Sequence, residues 1–317
     1  MEALLEIADL KTHFFLEDGV VKAVNGVDLV LPRGRSLGIV GESGCGKSVT
    51  AQSVMRIVPE PPGRIVSGQI RYRFSDGRVV DIGALRSGSR AMRRIRGAEI
   101  SMIFQEPMNS LSPVHTIGNQ IVEAIRLHRN VGKREAWEMA VEMLDRVRIS
   151  RPSDVADDYP YHLSGGMRQR AMIALALSCN PALLIADEPT TALDMTVQAQ
   201  ILRLIQDLRD EFEMGLMLIT HNLGVVAQTV DDVAVFYLGR VMEYGNVVDV
   251  FKHPLHPYTR ALFKSIPRPE GTERLFPIHG SVPDPYEKVA GCPFRARCEE
   301  ASPKCIEDAV PELIDAG

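Results

Sequence analysis

The 317-residue sequence has no apolar stretch approaching the ~18 residues that span a bilayer, so any membrane role falls to a partner. It lacks a basic surplus: 36 Lys and Arg against 41 Asp and Glu give a net charge of -5, which argues against generic nucleic-acid binding. One basic cluster, Arg93-Arg94-Ile95-Arg96, reads as a solvated helix face. The first residues, Met1 to Glu6, have neither the basic nor the long apolar region of a signal peptide, and a cytosolic chain is expected. Cysteines number five, odd and poorly distributed for a disulfide framework. Internal repeats and low-complexity tracts are missing as well. What is present is 45% apolar residues, enough for a substantial core, and 24% well-mixed charge, which excludes extensive disorder. The length suits one large domain with an appendage, or two domains.

The first forty residues read as strands. Leu4 to Leu10 and Val20 to Val24 flank a turn at Glu17-Asp18-Gly19, consistent with a hairpin. After a turn at Pro32-Arg33-Gly34, the apolar run Ser36 to Val40 fits a strand buried on both faces. A helix is expected over 47–58, stopped by Pro59, Pro61, Pro62 and Gly63. Residues 65–105 read as further strand with an inserted helix. From 117 to 148 the period is helical, and an alternating pattern follows: helices at 165–179 and 196–212, strands at 183–187 and 215–220. Val233 to Tyr237 and Val241 to Tyr244 form a last hairpin candidate. Beyond residue 253 proline is frequent, and the tail reads as a small accessory segment.

Gly41-Glu42-Ser43-Gly44-Cys45-Gly46-Lys47-Ser48 matches the phosphate-loop pattern, between an expected strand and an expected helix. Its glycines let backbone N–H groups converge on phosphate oxygens, and the helix N-terminus adds positive potential. Lys47 is expected to reach the β- and γ-phosphates and Ser48 to offer its hydroxyl to Mg²⁺. Asp187 ends an apolar strand, where a carboxylate serves Mg²⁺, and Glu188 is placed to orient or deprotonate the attacking water. Leu163-Ser164-Gly165-Gly166-Met167 sets a second glycine pair at a helix start, which suggests a second grip on nucleotide.

Gly41–Ser48, Gln105, Leu163–Met167, Leu183–Glu188, Ala192-Leu193-Asp194 and Thr220-His221 occur in the order and context of an ABC-transporter ATPase subunit, which the chain resembles over roughly residues 4–270. Within that family it is most similar to the dipeptide/oligopeptide/nickel importer group. The shared runs are Leu163 to Arg170, Gln105 to Pro113 and His256-Pro257-Tyr258-Thr259-Arg260, together with the cysteine-bearing tail. The resemblance implies an α/β fold: a P-loop NTPase core with a mainly parallel sheet, an N-terminal antiparallel β-subdomain, an α-helical ABC subdomain and a small C-terminal accessory segment. It implies an ATPase domain over 1–270, with the helical subdomain at about 106–168, and a cysteine-containing extension over 271–317.

The same resemblance assigns roles. Gly41, Ser43, Gly44, Cys45, Gly46, Lys47, Ser48 and Val49 would bind the phosphates of ATP. Phe14, or alternatively Phe15, would stack on adenine. Gln105 would touch Mg²⁺ and the water, alongside Ser48 and Asp187 as Mg²⁺ ligands. Glu188 would be the base and His221 would contact the γ-phosphate. Ser164, Gly165 and Gly166 would bind the γ-phosphate of ATP held by an opposite subunit, with Asp194 at the seam. Position 167 is Met, which the importer group shares, where the wider superfamily often has Gln, and Asn222 follows His221 where an acid is common.

Implied partners are a second ABC ATPase subunit (a heterodimer favoured), two transmembrane permeases, and indirectly an extracytoplasmic substrate-binding protein; nucleic acid is not among them. The chain would sit peripherally on the cytoplasmic face of the membrane. Cys292-x₅-Cys298-x₆-Cys305 includes Cys292-Pro293, and proline beside cysteine is familiar from iron–sulfur ligation. Similar importer subunits carry a [4Fe-4S] cluster there with a fourth cysteine further on. Three readings stay open: a longer natural chain, a non-cysteine fourth ligand, or no cluster; zinc with His279 as fourth ligand is the other metal reading. His253 and His256, beside Pro254 and Pro257, read as a turn. A soluble ABC-type ATPase acting on DNA or ribosomes, and a metal-binding regulatory module, are the competing functions. The transported solute is not legible, since the group handles peptides, nickel, opines and oligosaccharides.

Overall fold

The computed structural model describes residues 2–105, 110–191, 193–265, 278–284, 286–287, 289–306 and 311–315. In chain order the elements begin with β1 (Ala3–Leu16), β2 (Gly19–Pro32), β3 (Ser36–Gly41), α1 (Lys47–Val54), β4 (Gly63–Arg73), β5 (Val79–Asp81), α2 (Arg90–Ile95) and β6 (Ile100–Ile103). Next come α3 (Ile117–His128), α4 (Lys133–Arg146), α5 (Pro152–Asp157), α6 (Gly165–Leu177), β7 (Leu183–Asp187), α7 (Met195–Phe212) and β8 (Gly215–Ile219). The last are α8 (Leu223–Thr229), β9 (Asp232–Tyr237), β10 (Arg240–Asn246), α9 (Val247–Lys252) and α10 (Pro257–Lys264). Among the described residues no helix is long and apolar enough to cross a membrane. The chain forms two compact units interleaved in sequence.

One unit comprises Leu5–Leu31, Ser36–Ala84 and Ile219–Gly317. Here β2, β1, β4 and β5 lie side by side in that order, with β1–β4 and β4–β5 antiparallel. This is the expected N-terminal β-subdomain, and its register sets Phe14 opposite Gly63. In the same unit β3 runs parallel to β9, with Gly41 opposite Phe236, and β10 closes antiparallel on β9. Every residue of β3 is buried, which is why its sequence is an unbroken small-and-apolar run. Helix α1 ends at Val54, four residues short of the proline-based expectation. Arg56 turns left-handed (φ 52) and breaks the helical path before the prolines are reached.

The other unit comprises Met1–Leu4, Pro32–Arg35 and Leu85–Leu218. Strands β6 and β7 pair in parallel, Ile103 opposite Ala186, and both are fully buried. Helices α3, α4 and α5 pack on one another, with Ile121, Ile125, Ala140 and Leu144 in the core. Their spacing is the helical period visible in the sequence. Helix α10 lies in the stretch read as a proline-rich tail. Pro257 occupies its first turn and His256 caps it through Nδ1, which accepts the Tyr258 N–H at 3.0 Å. Proline there starts a helix, since its missing N–H has no helical partner at that position.

Candidate functional site

The phosphate loop joins buried β3 to α1 and needs glycine where the sequence has it. Gly41 has φ 149 and Gly46 φ 100. A Cβ on Gly41 would stand 2.2 Å from the Phe236 carbonyl oxygen, and one on Gly46 2.1 Å from that of Ala23. No side chain fits either place. Gly46 is also the residue before α1, so no side chain caps that helix start. Lys47 is only 6% exposed. Its ammonium donates to the carbonyl oxygens of Gly41 and Glu42, both at 2.9 Å, and lies 3.6 Å from Cys45 Sγ. Burial pushes the Cys45 thiol up, so it stays neutral beside the lysine. Ser48 and Val49 open α1, half-buried.

In the other unit, parallel β6 and β7 end side by side, and the residues that follow them meet. Asp187 closes β7 and is 4% exposed. Glu188 has left-handed backbone (φ 46), costly for a residue with a side chain. Its Oε2 accepts from Gln105 Nε2 at 3.2 Å and from Thr191 Oγ1 at 2.8 Å. Two residues 83 positions apart, both expected at the reaction centre, are thus in direct contact. A carboxylate at the carboxyl end of parallel strands stands where open α/β sheets bind ligands.

Ser164 caps α6: its Oγ accepts the Met167 N–H at 3.4 Å. Ser164 and Gly165 are exposed, and a Cβ on Gly165 would find nothing nearer than Leu193 Cδ2 at 3.7 Å. Asp194 caps α7, accepting from the N–H groups of Thr196 and Val197, both at 3.0 Å. His221 follows β8 and is exposed. Asn222 caps α8, its Oδ1 accepting from Val225 N–H at 3.3 Å. That gives a reason for asparagine where an acid is common, because the two side chains cap a helix about equally well. Phe14 is half-buried against Gly63, whereas Phe15 is 49% exposed.

Residues 24–191 match the family model described as "ABC transporter", and residues 242–305 match "Oligopeptide/dipeptide transporter, C-terminal region". The chain belongs to the ABC transporter family. It is 52% identical over 308 residues, 96% of this chain and 90% of the relative, to the "Probable peptide ABC transporter ATP-binding protein y4tR" of Sinorhizobium fredii. It is 49% identical over 306 residues to the oligopeptide transport ATP-binding protein AppD of Bacillus subtilis, covering 96% and 91% of the two chains. In fold it resembles the bacterial ABC transporter cassette MJ0796, at TM-score 0.66 and 24% identity, over 77% of this chain and 98% of that one. The P-loop NTPase fold and ATP hydrolysis expected of the sequence are those of this family.

The cysteine tail falls within the stretch that matches the oligopeptide/dipeptide C-terminal region. The Cys292 N–H donates to the Cys305 carbonyl at 3.0 Å, and all three tail thiols are half-buried. Burial above all, then the neighbouring Cys292 and Cys305, pushes the Cys298 thiol up. Hydrogen bonds from the Ser302 backbone and side chain hold the Cys305 thiol down. Among the described residues no group of three or more His, Cys, Asp or Glu could hold a metal ion. His279, the other candidate ligand, points Nε2 at Glu299 Oε1, 3.8 Å away. The three thiols therefore do not fit a complete ligand set.

Two contacts escape the sequence. Gln169, buried in α6, donates to the Pro189 carbonyl immediately after Glu188. Arg297 pairs with Glu42 of the phosphate loop, 255 positions away. The first was findable as a polar residue on a buried helix face; the second carries no local signal.

Proposed function

We propose that this ABC ATPase is the energy-coupling subunit of a binding-protein-dependent importer of peptides or similar solutes. Support for the peptide class comes from the names of its relatives and from the oligopeptide/dipeptide C-terminal region. Its partners are a second, different ABC ATPase subunit, two transmembrane permeases and, through them, an extracytoplasmic binding protein. It works from the cytoplasmic face of the membrane. Residues 1–270 form the ATPase domain, with the helical subdomain at about 106–168 receiving the permeases, and 271–317 form the extension.

The observation that carries the chemistry is the Gln105–Glu188 contact on left-handed backbone at the end of β7. Glu188 accepts the proton of the attacking water, and Gln105 holds that carboxylate and the water in line. Gly41 and Ser43 to Val49 wrap the phosphates, Lys47 moving from its own loop carbonyls to the β- and γ-phosphates. Ser48, Gln105 and Asp187 would hold Mg²⁺, which when bound neutralises charge on the phosphate oxygens. His221 contacts the γ-phosphate, and Phe14 stacks on adenine. Ser164, Gly165 and Gly166 complete the site of the opposite subunit, and Asp194 lies at the seam. ATP closes the pair of subunits, hydrolysis reopens it, and the permeases follow.

The test is Glu188→Gln in the assembled importer. ATP binding and closure are retained while turnover falls by about 10²–10⁴-fold. Wild-type hydrolysis in that variant would remove Glu188 from its role. A [4Fe-4S] cluster on Cys292, Cys298 and Cys305 is the finer part of the proposal, supported by the tail's sequence pattern alone. The described residues leave its fourth ligand unassigned, and no step above passes through it. Iron in elemental analysis with a visible band bleached by reductant would support it; iron-free protein of full stability would sink it.

A further inference from the structure

Glu42, the second residue of the phosphate loop, is held at three points by three side chains. Its N–H donates to the Tyr258 hydroxyl oxygen at 3.1 Å. Its carbonyl accepts from Lys47 at 2.9 Å. Its carboxylate takes both arms of the Arg297 guanidinium, Nη1 to Oε2 at 2.7 Å and Nη2 to Oε1 at 3.0 Å. The Arg297 side chain is 4% exposed. Its Nε donates to the His279 carbonyl at 3.0 Å, and Nη1 reaches the Tyr237 hydroxyl at 3.4 Å. Phe294 packs edge-on against Tyr237 and tilted against Tyr258, with ring centroids 5.4 and 5.2 Å apart. Tyr258, fully buried, has its phenol pushed up by burial and stays a neutral hydroxyl.

Both outside anchors, Tyr258 and Arg297, lie in the stretch that matches the oligopeptide/dipeptide C-terminal region. We infer that this region is a clamp on the phosphate loop, and that Arg297 is a positioning residue for ATP binding, acting through Glu42. The inference rests on the reading of Gly41–Ser48 as the ATP phosphate loop. The physical reason is charge. A carboxylate on a loop that must receive a polyanion repels it unless neutralised, and a bidentate arginine neutralises it while fixing its direction. Removing one partner of such a buried pair leaves the other charge uncompensated, whereas replacing both by neutral groups can cost little. The clamp therefore makes a signed forecast for the two partners together, which a purely structural contact does not.

The experiment measures Mg²⁺-ATP affinity of the full chain by a fluorescent ATP analogue, with melting temperature recorded in parallel. Arg297→Met weakens binding by about tenfold, within the usual range for coupling between sites. Glu42→Gln alone does not weaken binding, since the loop then carries no charge to repel phosphate; the uncompensated Arg297 shows instead as a lower melting temperature. The double variant Arg297→Met with Glu42→Gln returns to within about threefold of wild type. Arg297→Lys, with charge but no fork, falls between Arg297→Met and wild type. Wild-type affinity in Arg297→Met overturns the clamp. So does a double variant as weak as Arg297→Met, which would mark the contact as structural only. Should Arg297→Met fail to fold, the Lys and double variants decide it by the same comparison. Lys47→Ala is the separate control: if it binds ATP like wild type, the phosphate-loop reading itself fails, whatever Arg297 does.

Discussion

The phosphate loop and the segment Leu163–Met167 both place glycines at the start of a helix, yet their surroundings differ. In the loop, this chain's own backbone demands the glycines: added Cβ atoms would sit 2.2 and 2.1 Å from carbonyl oxygens. Its lysine is buried and tied to the loop's own carbonyls. At Gly165 nothing in the chain demands glycine, as the nearest atom to an added Cβ is 3.7 Å off and Ser164 beside it is exposed. A glycine that its own fold does not require leaves room at a helix start for a group from outside, as the proposed function asks of Gly165. The loop's glycines answer to their own chain, whereas Gly165 leaves an open helix start, which is what the proposed shared nucleotide requires.

The sharpest way to break this contrast is a pair of variants. Lys47→Ala should abolish ATP binding in the single chain. Gly165→Asp should leave single-chain ATP binding intact but reduce turnover of the assembled importer by at least about hundredfold, since a carboxylate would face an incoming phosphate. Equilibrium binding and steady-state hydrolysis on the same preparations distinguish them. If Gly165→Asp loses binding in the isolated chain, the glycine pair serves this chain's own nucleotide.

A smaller effect tests the packing side of the comparison. Gly46→Ala forces a side chain into left-handed backbone and onto the Ala23 carbonyl, and should cost about 3 kcal/mol. Gly165→Ala meets ordinary contact distances at a helix start and should be neutral or stabilising by up to about 1 kcal/mol. Denaturant melts read the difference directly. Equal losses at both positions would mean that Gly165 is as enclosed as Gly46.

How far each region was legible follows from what it is made of. The motif residues could be placed because strand, loop and helix there are contiguous, and the fully buried strands β3 and β7 announce themselves as unbroken runs. Gln105 and Glu188 are each candidates in the sequence; only the parallel pairing of β6 with β7 brings them together. Helix α9 carries no sequence signal because six residues cannot display a period, and α10 is hidden because its prolines read as punctuation. The Arg297–Glu42 pair was out of reach. The tail's local signal lies in its cysteines, and nothing in the sequence says that one arginine is buried against a loop 255 residues away. Asp194, Ser164 and Asn222 teach a related point: each caps a helix, a role that residue type and spacing state as plainly as any catalytic one.

Caps also separate helix starts closed by their own side chain from those, such as Gly46, Gly132 and Arg151, that have none. Asp194→Ala should cost about 1 kcal/mol through the two lost cap bonds, read as a lower denaturation midpoint. The start of α10 offers a gentler and pH-dependent version. His256 Nδ1 accepts the Tyr258 N–H, so the cap needs the imidazole unprotonated on that nitrogen. Burial lowers the His256 pKa, outweighing the nearby Glu243, which raises it. The unfolded chain then binds the proton more readily than the folded one. Above the unfolded value of about 6.5 both states are neutral and the full stability is present; it declines as pH falls below that point. Asparagine caps without titrating, so His256→Asn should show a shallower loss of melting temperature between pH 7.5 and 5.5 than wild type, by roughly a few degrees. Parallel curves for the two proteins would show that the imidazole's charge state is not what holds this helix start.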